Sequence, residues 1–329
     1  MTPISRRLLL VAVSVLLAPV LLAPAVATAQ ADAYPSRTIR LVVPFPPGGS
    51  VDPLARVISQ KMGETFGQQV VVDNRPGGNT VIGTQIVANA APDGYTLLLT
   101  ASSHVTQPQL LATSFDPIKD FAPVATVSTS DMILVTNPSV PASNLQELLA
   151  LAKAKPGSLN FSSAGSGNPN HLAGELMNMM AGVKTTHIPY KGGAPAINDL
   201  LGGQVQFSFG SPIIVLPHIR AGKLKAIAVT APSRMTVLPE VPTMAESGLN
   251  GYEVRIWYGV LAPAGTPKDV IAKLNAEINR ITTLPESKER LDAAGMERHT
   301  AAADRFEAMM KSDMDKFGRI IKSANVKLD

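Results

Sequence analysis

The chain has 329 residues, 45% of them hydrophobic and 16% charged, with a formal net charge of +4. That length admits one large or two medium domains, and that composition is ordinary for a globular protein. The absence of cysteine excludes disulfides, thiolate zinc sites and thiol nucleophiles. The small positive excess comes without a Lys/Arg stripe interleaved with aromatics, which argues against nucleic acid as a partner.

Residues 1–31 read as a secretory signal peptide. Arg6 and Arg7 form a positive start, Leu8 to Leu22 an apolar stretch, and "AVATAQADAYP" offers small-residue cleavage sites after Ala29 or Ala31. A retained anchor is the alternative, but Pro19 and Pro24 and the Ala-x-Ala sites suit cleavage. "SRRLLL" leaves both Sec and Tat export open. Cleavage lowers Lys+Arg to 27 against 25 acidic residues, a balance that mildly favours an anionic small ligand. No later apolar run approaches the ~20 residues of a membrane span, so the expected mature protein is exported and soluble.

Strand-like and helix-like segments then alternate, the signature of α/β layers with mostly parallel strands. "TIRLVVPF" predicts a strand and "PLARVISQKMGETFG" a helix with Leu54, Ile58 and Met62 on one face, ended by Gly67. "QQVVVDN" (strand), "NTVIGTQIVANA" (helix) and "YTLLLT" (strand) complete a β-α-β-α-β run. A second run follows: "DMILVTN", a helix capped by Ser143 or Asn144, "SLNFSS", "HLAGELMNMMAG", "KTTHIPY", "PAINDLLGG", "QVQFSF" and "LKAIAVT". The tail resumes with the strand "WYGVLAP". Thr266-Pro267-Lys268-Asp269 then predicts a capping box ahead of a helix carrying Ile271, Leu274, Ile278 and Ile281. A last helix bears Phe306, Met310, Met314, Phe317 and Ile321, a stripe spaced for core packing rather than for a ligand. No Gly/Ser or Pro-rich linker separates the runs. The expected architecture is two lobes: lobe I from 34–131 and 252–329, lobe II from 132–251, and residues 1–31 removed.

Three stretches share one design. "LVVPFPPGGSVDPLAR", "FSSAGSGNPNHLAGEL" and "IPYKGGAPAINDLL" each run strand, glycine loop, proline in the first helical turn. A helix N-terminus leaves backbone N–H groups unpaired and carries partial positive charge. Glycine lets that backbone approach a ligand closely, so each junction is a ready anion site. Open α/β sheets present such loops at the carboxyl ends of their strands. The plain alternative is that glycine serves only to turn the chain. Asp52 either caps the first helix, or Ser50 caps it and Asp52 points into the cleft. Ser102 and His104, in "TASSHVTQ" after the third strand, are further candidates, His104 either touching ligand or capping a loop. The Tyr190 ring suits an apolar ligand body, while Lys191 belongs in solvent or at the rim.

Enzyme signatures fail. There is no Walker pattern, "GSGNPN" lacks the third glycine of a dinucleotide fingerprint, and no G-x-S-x-G elbow occurs. His171 and Glu175, four apart on a helix, lack the second His of a metal motif and fit an ordinary i,i+4 pair. No metal, cofactor or catalytic residue is expected. An exported α/β hydrolase remains the remote alternative.

"YPSRTIRLVVPFPPGGSVDPLAR", "VVVDNRPGGNTVIGTQIVANAAPDGYTLL", "LNFSSAGSGNPNHLAGELM", "IPYKGGAPAINDLLGGQV", "PHIRAGKLKAIAVT" and "LPEVPTMAESGLNGYE" together resemble the Bug family, the periplasmic solute-binding proteins of tripartite tricarboxylate transporters. The resemblance runs from Tyr34 onward. It implies a type II, Venus-flytrap binding protein, each lobe an open, mostly parallel sheet flanked by helices, working as a monomer. It implies a small carboxylate as ligand, and the membrane subunits of a transporter, or a sensor, as partner. It places the ligand carboxylate between Pro47, Gly48, Gly49, Ser50 and Asp52 on one side and Ser162, Ser163, Ala164, Gly165, Ser166 and Asn168 on the other. Where many relatives carry aspartates after "GGQV", this chain has Gln206 and Gly210, the latter followed by Ser211. Losing the second aspartate removes a partner for a ligand amine. The expected ligand is therefore a di- or tricarboxylate or an aromatic acid rather than an amino acid.

Overall fold

The structure, a computed structural model, describes residues 34–293, 295–299 and 303–327. The segment read as a signal peptide lies outside them. In chain order the elements are β1 (Ile39–Val43), α1 (Val51–Phe66), β2 (Val70–Asn74), α2 (Val81–Ala88), β3 (Thr96–Ala101), a short α3 (Ser103–Thr106), β4 (Phe121–Asp131), β5 (Ile133–Thr136), α4 (Leu145–Ala154), β6 (Asn160–Ser163), α5 (Pro169–Ala181), β7 (Thr186–Pro189), α6 (Gly193–Leu201), β8 (Phe207–Gly210), α7 (Pro212–Arg220), β9 (Lys225–Val229), β10 (Arg255–Pro263), α8 (Lys268–Thr283), α9 (Pro285–Ala293), β11 (Glu297–Arg298) and α10 (Ala303–Ser323). Among the described residues no helix is long and apolar enough to cross a membrane.

The strands form two sheets, ordered β11-β4-β10-β3-β1-β2 and β7-β6-β8-β5-β9. Both are mixed rather than mostly parallel. In the first, β2, β1 and β3 run parallel, while β10 is antiparallel to β3 and β4. In the second, β7, β6 and β8 run parallel, and β5 is antiparallel to β8 and β9. The cause is the crossing chain. β4 leaves the first sheet at Asp131 and, one residue later, is β5 of the second. The return path re-enters as β10, between β3 and β4. The two passages are stitched together: Met132 N–H donates to Thr230 Oγ1 at 2.8 Å, and that hydroxyl donates to the Val254 carbonyl at 2.6 Å.

Residue periodicity explains the layers. Leu41, Val43, Leu97 and Leu99 face one helical layer with Leu54, Ile58, Leu274 and Ile278. Their neighbours Val42 and Leu98 face the other, with Val87, Trp257 and Phe306. A sheet covered on both faces needs apolar residues at successive positions, which is why these strands read as unbroken apolar runs. In the second sheet Leu134 packs with Phe161, Phe207 and Leu172, and Ile133 and Val135 with Leu200, Val215 and Val229.

Local signals act mostly as the sequence suggests. Gly67 ends α1 in a left-handed conformation, φ 65°, its N–H returning to the Gly63 carbonyl. Asn144 caps α4 by accepting from Glu147 N–H at 2.9 Å, while Ser143 N–H donates to the Glu147 carboxylate at 2.7 Å. The capping box expected at Thr266 does not form; its hydroxyl donates to the Pro263 carbonyl at 2.8 Å instead. Five elements escaped the sequence reading: α3, β4, α7, α9 and β11. β4 hides behind Pro123 and a Ser/Thr-rich end. β11 pairs only with Ser128 and Thr129, so Pro123 lies on an open edge where its missing N–H costs nothing. α7 contains Pro217, and α9 is mostly polar.

Candidate functional site

β1 in the first sheet and β6, β7 and β8 in the second all run into glycine-containing turns followed by helices. In the first turn Gly48 has φ 81°, a conformation that favours glycine. Its N–H donates to Asp52 Oδ2 at 3.3 Å, and the same carboxylate accepts from Arg56 Nε at 3.1 Å and Asn74 Nδ2 at 3.3 Å. Burial acts to raise the Asp52 pKa, but the bonds from Arg56, Gly48 and Asn74 outweigh it and hold the carboxyl below its ordinary value. Asp52 is a buckle for the loop rather than part of the cleft wall.

The turn after β6 is tied from within. Ser163 Oγ bonds to both the carbonyl and the N–H of Gly165, at 3.0 and 3.1 Å. Asn168 Nδ2 donates to the Ala164 carbonyl at 3.2 Å, and Gly167 N–H donates to His171 Nδ1 at 2.9 Å. Beneath it His171 stacks on His187, ring centroids 3.6 Å apart, and His187 Nε2 lies 2.6 Å from Ser163 Oγ. Ser162 Oγ donates to the Ala196 carbonyl at 3.2 Å, fastening this turn to α6.

The turns meet around a cavity of about 300 Å³ whose walls come from both lobes. Four helices, α1, α5, α6 and α7, bring their first residues to it. Ser50, Asn168 and Ser211 stand at the N-caps of α1, α5 and α7 and belong to the residue types that cap best. None of them makes a side-chain cap bond, and Gly192, at the N-cap of α6, has no side chain to offer. The first-turn amides of these helices are thus left without a side-chain cap at the cavity wall. Two buried hydroxyls on that wall, those of Ser103 and Tyr258, make no close hydrogen bond among the described residues, although the Ser50 and Ser211 side chains stand near enough to Tyr258 to act on it. Burial pushes the Tyr258 pKa up, with the Ser50 and Ser211 side chains pulling it partly back, so its proton stays available to donate. Lys191 is the one charged residue among those lining the cavity, and it is exposed.

Of the candidate residues, Pro47, Gly49, Ser50, Ala164, Asn168, Gly210 and Ser211 line the cavity. Gly48, Asp52, Ser162, Ser163, Gly165 and Ser166 belong to the same strand ends and turns but are not among the lining residues. Ser102 Oγ instead accepts from Trp257 N–H at 2.9 Å. His104 is fully buried, its Nε2 bonded to the Pro117 carbonyl at 2.8 Å and its ring edge-on to Phe121. The Tyr190 hydroxyl donates to Asp199 at 2.6 Å and its pKa is pushed up to about 12, by burial and by that carboxylate. The sequence reading missed Ser103, Asn170, Gly193 and Tyr258. Gly193 belongs to a loop already singled out, and Asn170 follows the flagged proline. Ser103 and Tyr258 carry no sequence signal beyond lying next to recognised strands.

The cleft is shut in this structure. Thr106 Oγ1 donates to the Gly167 carbonyl at 2.7 Å and Gln107 Nε2 to the Ser166 carbonyl at 3.0 Å, both bonds joining the first lobe to the second. Gly192, φ 113°, sits so close to Pro46 across the opening that a Cβ there would lie 2.9 Å from the proline ring.

The two buried imidazoles give the fold a pH dependence of definite sign. Burial lowers the His104 pKa to about 4. Burial, and then the neighbouring His171, lower that of His187 to about 3. The unfolded chain binds these protons near pH 6.5 and the folded chain does not, so stability rises with pH through that window. The expected result is a melting temperature that is level above about pH 6.5 and declines from there toward pH 4. A His104→Gln protein should show a shallower decline. A wild-type melting temperature unchanged between roughly pH 7 and pH 4.5 would contradict this assignment.

A two-lobed α/β body with a closed cleft, walled by helix N-termini and hydroxyl donors, defines a solute-binding protein. The sequence matches the family described as "Tripartite tricarboxylate transporter family receptor" over residues 54–326. The chain belongs to that family, whose Bug members include BugT of Bordetella pertussis, 38% identical over 308 residues covering 92% of this chain and 94% of BugT. Three solved structures are similar. The periplasmic binding protein BugD has a TM-score of 0.84 at 37% identity, covering 90% of this chain and 100% of BugD. Rhodopseudomonas palustris Rpa4515 with adipate has 0.86 at 31%, with the same coverage. MatC of the same organism with bound malate has 0.83 at 32%, covering 88% of this chain and 100% of MatC. The family description names a receptor and BugD is a periplasmic binding protein, roles of solute binding rather than catalysis.

Proposed function

We propose that this protein captures a small dicarboxylate in the inter-lobe cleft, in the periplasm, and delivers it to the membrane subunits of a tripartite tricarboxylate transporter. The observation that carries the ligand class is the set of four helix N-termini, uncapped by side chains, around a cavity with two hydroxyls that make no close hydrogen bond and, among the described residues, no acidic wall residue. Each terminus favours an anion by about 0.3–1 kcal/mol, and up to ~2 when partly buried. Together with hydrogen bonds to charged oxygens, these contributions account for micromolar binding, about 8 kcal/mol. Relatives with adipate and with malate support a ligand bearing two carboxylates. The lobes divide where the chain passes between the sheets, after Asp131 and before Arg255, and those strands act as the hinge.

A cationic group has no place in this cleft. Gln206 spends its side-chain carbonyl on Asn160 N–H at 2.9 Å. Gly210 lines the cavity without a side chain, and a Cβ there would stand 2.3 Å from Val215 Cγ1. Calorimetric titration with adipate, malate, benzoate and glutamate tests the reading. Adipate or malate should bind at least about tenfold more tightly than glutamate, a difference of about 1.4 kcal/mol. Glutamate binding best would overturn it.

A further inference from the structure

A second cavity, of about 340 Å³, lies further along α1 and shares no lining residue with the first. Leu54 and Ile58 of α1, Ile281 of α8, Leu291 of α9 and Val127 of β4 form its walls, and Ile213 of α7 reaches it from the other lobe. These residues are apolar, and no acidic side chain lines the space. At its mouth stand two exposed guanidinium groups, Arg56 and Arg290. Arg56 is paired with Asp52 at 3.1 Å, whereas Arg290 has no ion-pair partner among the described residues. Ser287, 4% exposed, also lines the cavity, and its hydroxyl has no hydrogen-bond partner.

We propose that this cavity is a second ligand site, for an amphipathic monocarboxylate: a hydrocarbon tail among the leucine and isoleucine side chains, and a carboxylate at Arg290 and the Ser287 hydroxyl. Protein interiors leave few voids larger than a water, and a buried hydroxyl without a partner is uncommon. Both meet here beside a guanidinium that makes no ion pair among the described residues; Glu286, one turn earlier on α9, feels its charge but is itself paired with Lys61 at 3.3 Å. The chemistry differs from that of the first cleft, where peptide amides and hydroxyls take the ligand and apolar volume is shared with polar walls. Size sets the tail: a dry cavity of about 150 Å³ holds benzene, so this one holds an acid of roughly eight carbons.

The probe is octanoate, added to the full exported chain carrying methyl-labelled methionine. Met296 is 2% exposed and lines this cavity only, and a Met296→Leu protein assigns its resonance. Octanoate should shift the Met296 methyl saturably, with one equivalent bound, and adipate at saturation should not compete. Arg290→Ala, a change at an exposed position that leaves the fold intact, should weaken octanoate about fivefold, as for loss of one exposed charge pair. Leu291→Trp, which fills the space, should abolish the shift. An unmoved Met296 methyl, unchanged affinity in Arg290→Ala, octan-1-ol binding as tightly as octanoate, or displacement of octanoate by adipate would each overturn the proposal. Adipate titration of the same sample reports on the first cleft separately, so the two readings fail independently.

Discussion

Replacing Gly49 by phenylalanine should abolish dicarboxylate binding while the protein remains folded. Gly49 lines the first cavity at the start of α1. Its φ is not in the left-handed region, and a Cβ built there meets only the Pro46 carbonyl oxygen, at 3.6 Å, which is ordinary contact. The backbone thus accepts a side chain, and the ring would sit at the cavity wall that Gly49 lines. A benzyl group is about the size of the benzene that fills a 150 Å³ cavity, roughly half of the space present. The expected loss is at least about 100-fold in affinity, close to 2.8 kcal/mol, with a melting temperature of the unliganded protein close to wild type. Gly48 and Gly192 are poorer tests, because their positive φ, 81° and 113°, adds backbone strain to any loss of binding. Calorimetry and thermal unfolding on one preparation decide the matter. Undiminished affinity would show that this loop does not wall the site.

The paired change Ser103→Ala with Tyr258→Phe should move binding and stability in opposite directions. Both hydroxyls are buried at the cavity wall and make no close hydrogen bond among the described residues, Tyr258 having only the nearby Ser50 and Ser211 side chains. A hydrogen bond from a hydroxyl to a charged oxygen contributes about 1.5–3 kcal/mol, so losing two weakens a carboxylate ligand by about 100-fold or more. In the unliganded protein neither group makes a close hydrogen bond, and removing such a buried hydroxyl is close to neutral. The double variant should therefore melt no lower than wild type without ligand, yet gain much less on adding adipate. A structural role for the hydroxyls predicts that both quantities fall together.

The parts of the site legible in the sequence are those built from local rules. A strand, a glycine turn and a proline in the first helical turn announce a helix N-terminus wherever they occur. Three of the four termini at the cavity, those of α1, α5 and α6, were readable on that basis. The fourth, α7, was obscured by Pro217, and its Gly210 and Ser211 came into view only through the family resemblance. The side-chain donors were not readable. Ser102 and His104 were plausible, but successive helical residues point about 100° apart, and in α3 it is Ser103 between them that reaches the cavity. Tyr258 lies on a buried strand, where alternation alone does not distinguish a core ring from a wall ring. Asp52 looked like a cap or a ligand contact; its role as a buckle depends on Asn74 and Arg56, which only the folded chain brings to it. In the fold, β4 was lost because Pro123 and its Ser/Thr run mimic a loop, and the mixed sheets follow from a crossing strand that no local pattern encodes.

The central claim is that main-chain amides and two hydroxyls, not basic side chains, hold the anion. Among the described residues Lys191 is the sole charged one lining the cleft, so calorimetric titration of Lys191→Ala with adipate isolates the point. Affinity within about threefold of wild type, the scale of an exposed charge, is the predicted result; a loss of about 100-fold or more would show that the lysine, and not the peptide backbone, captures the carboxylate.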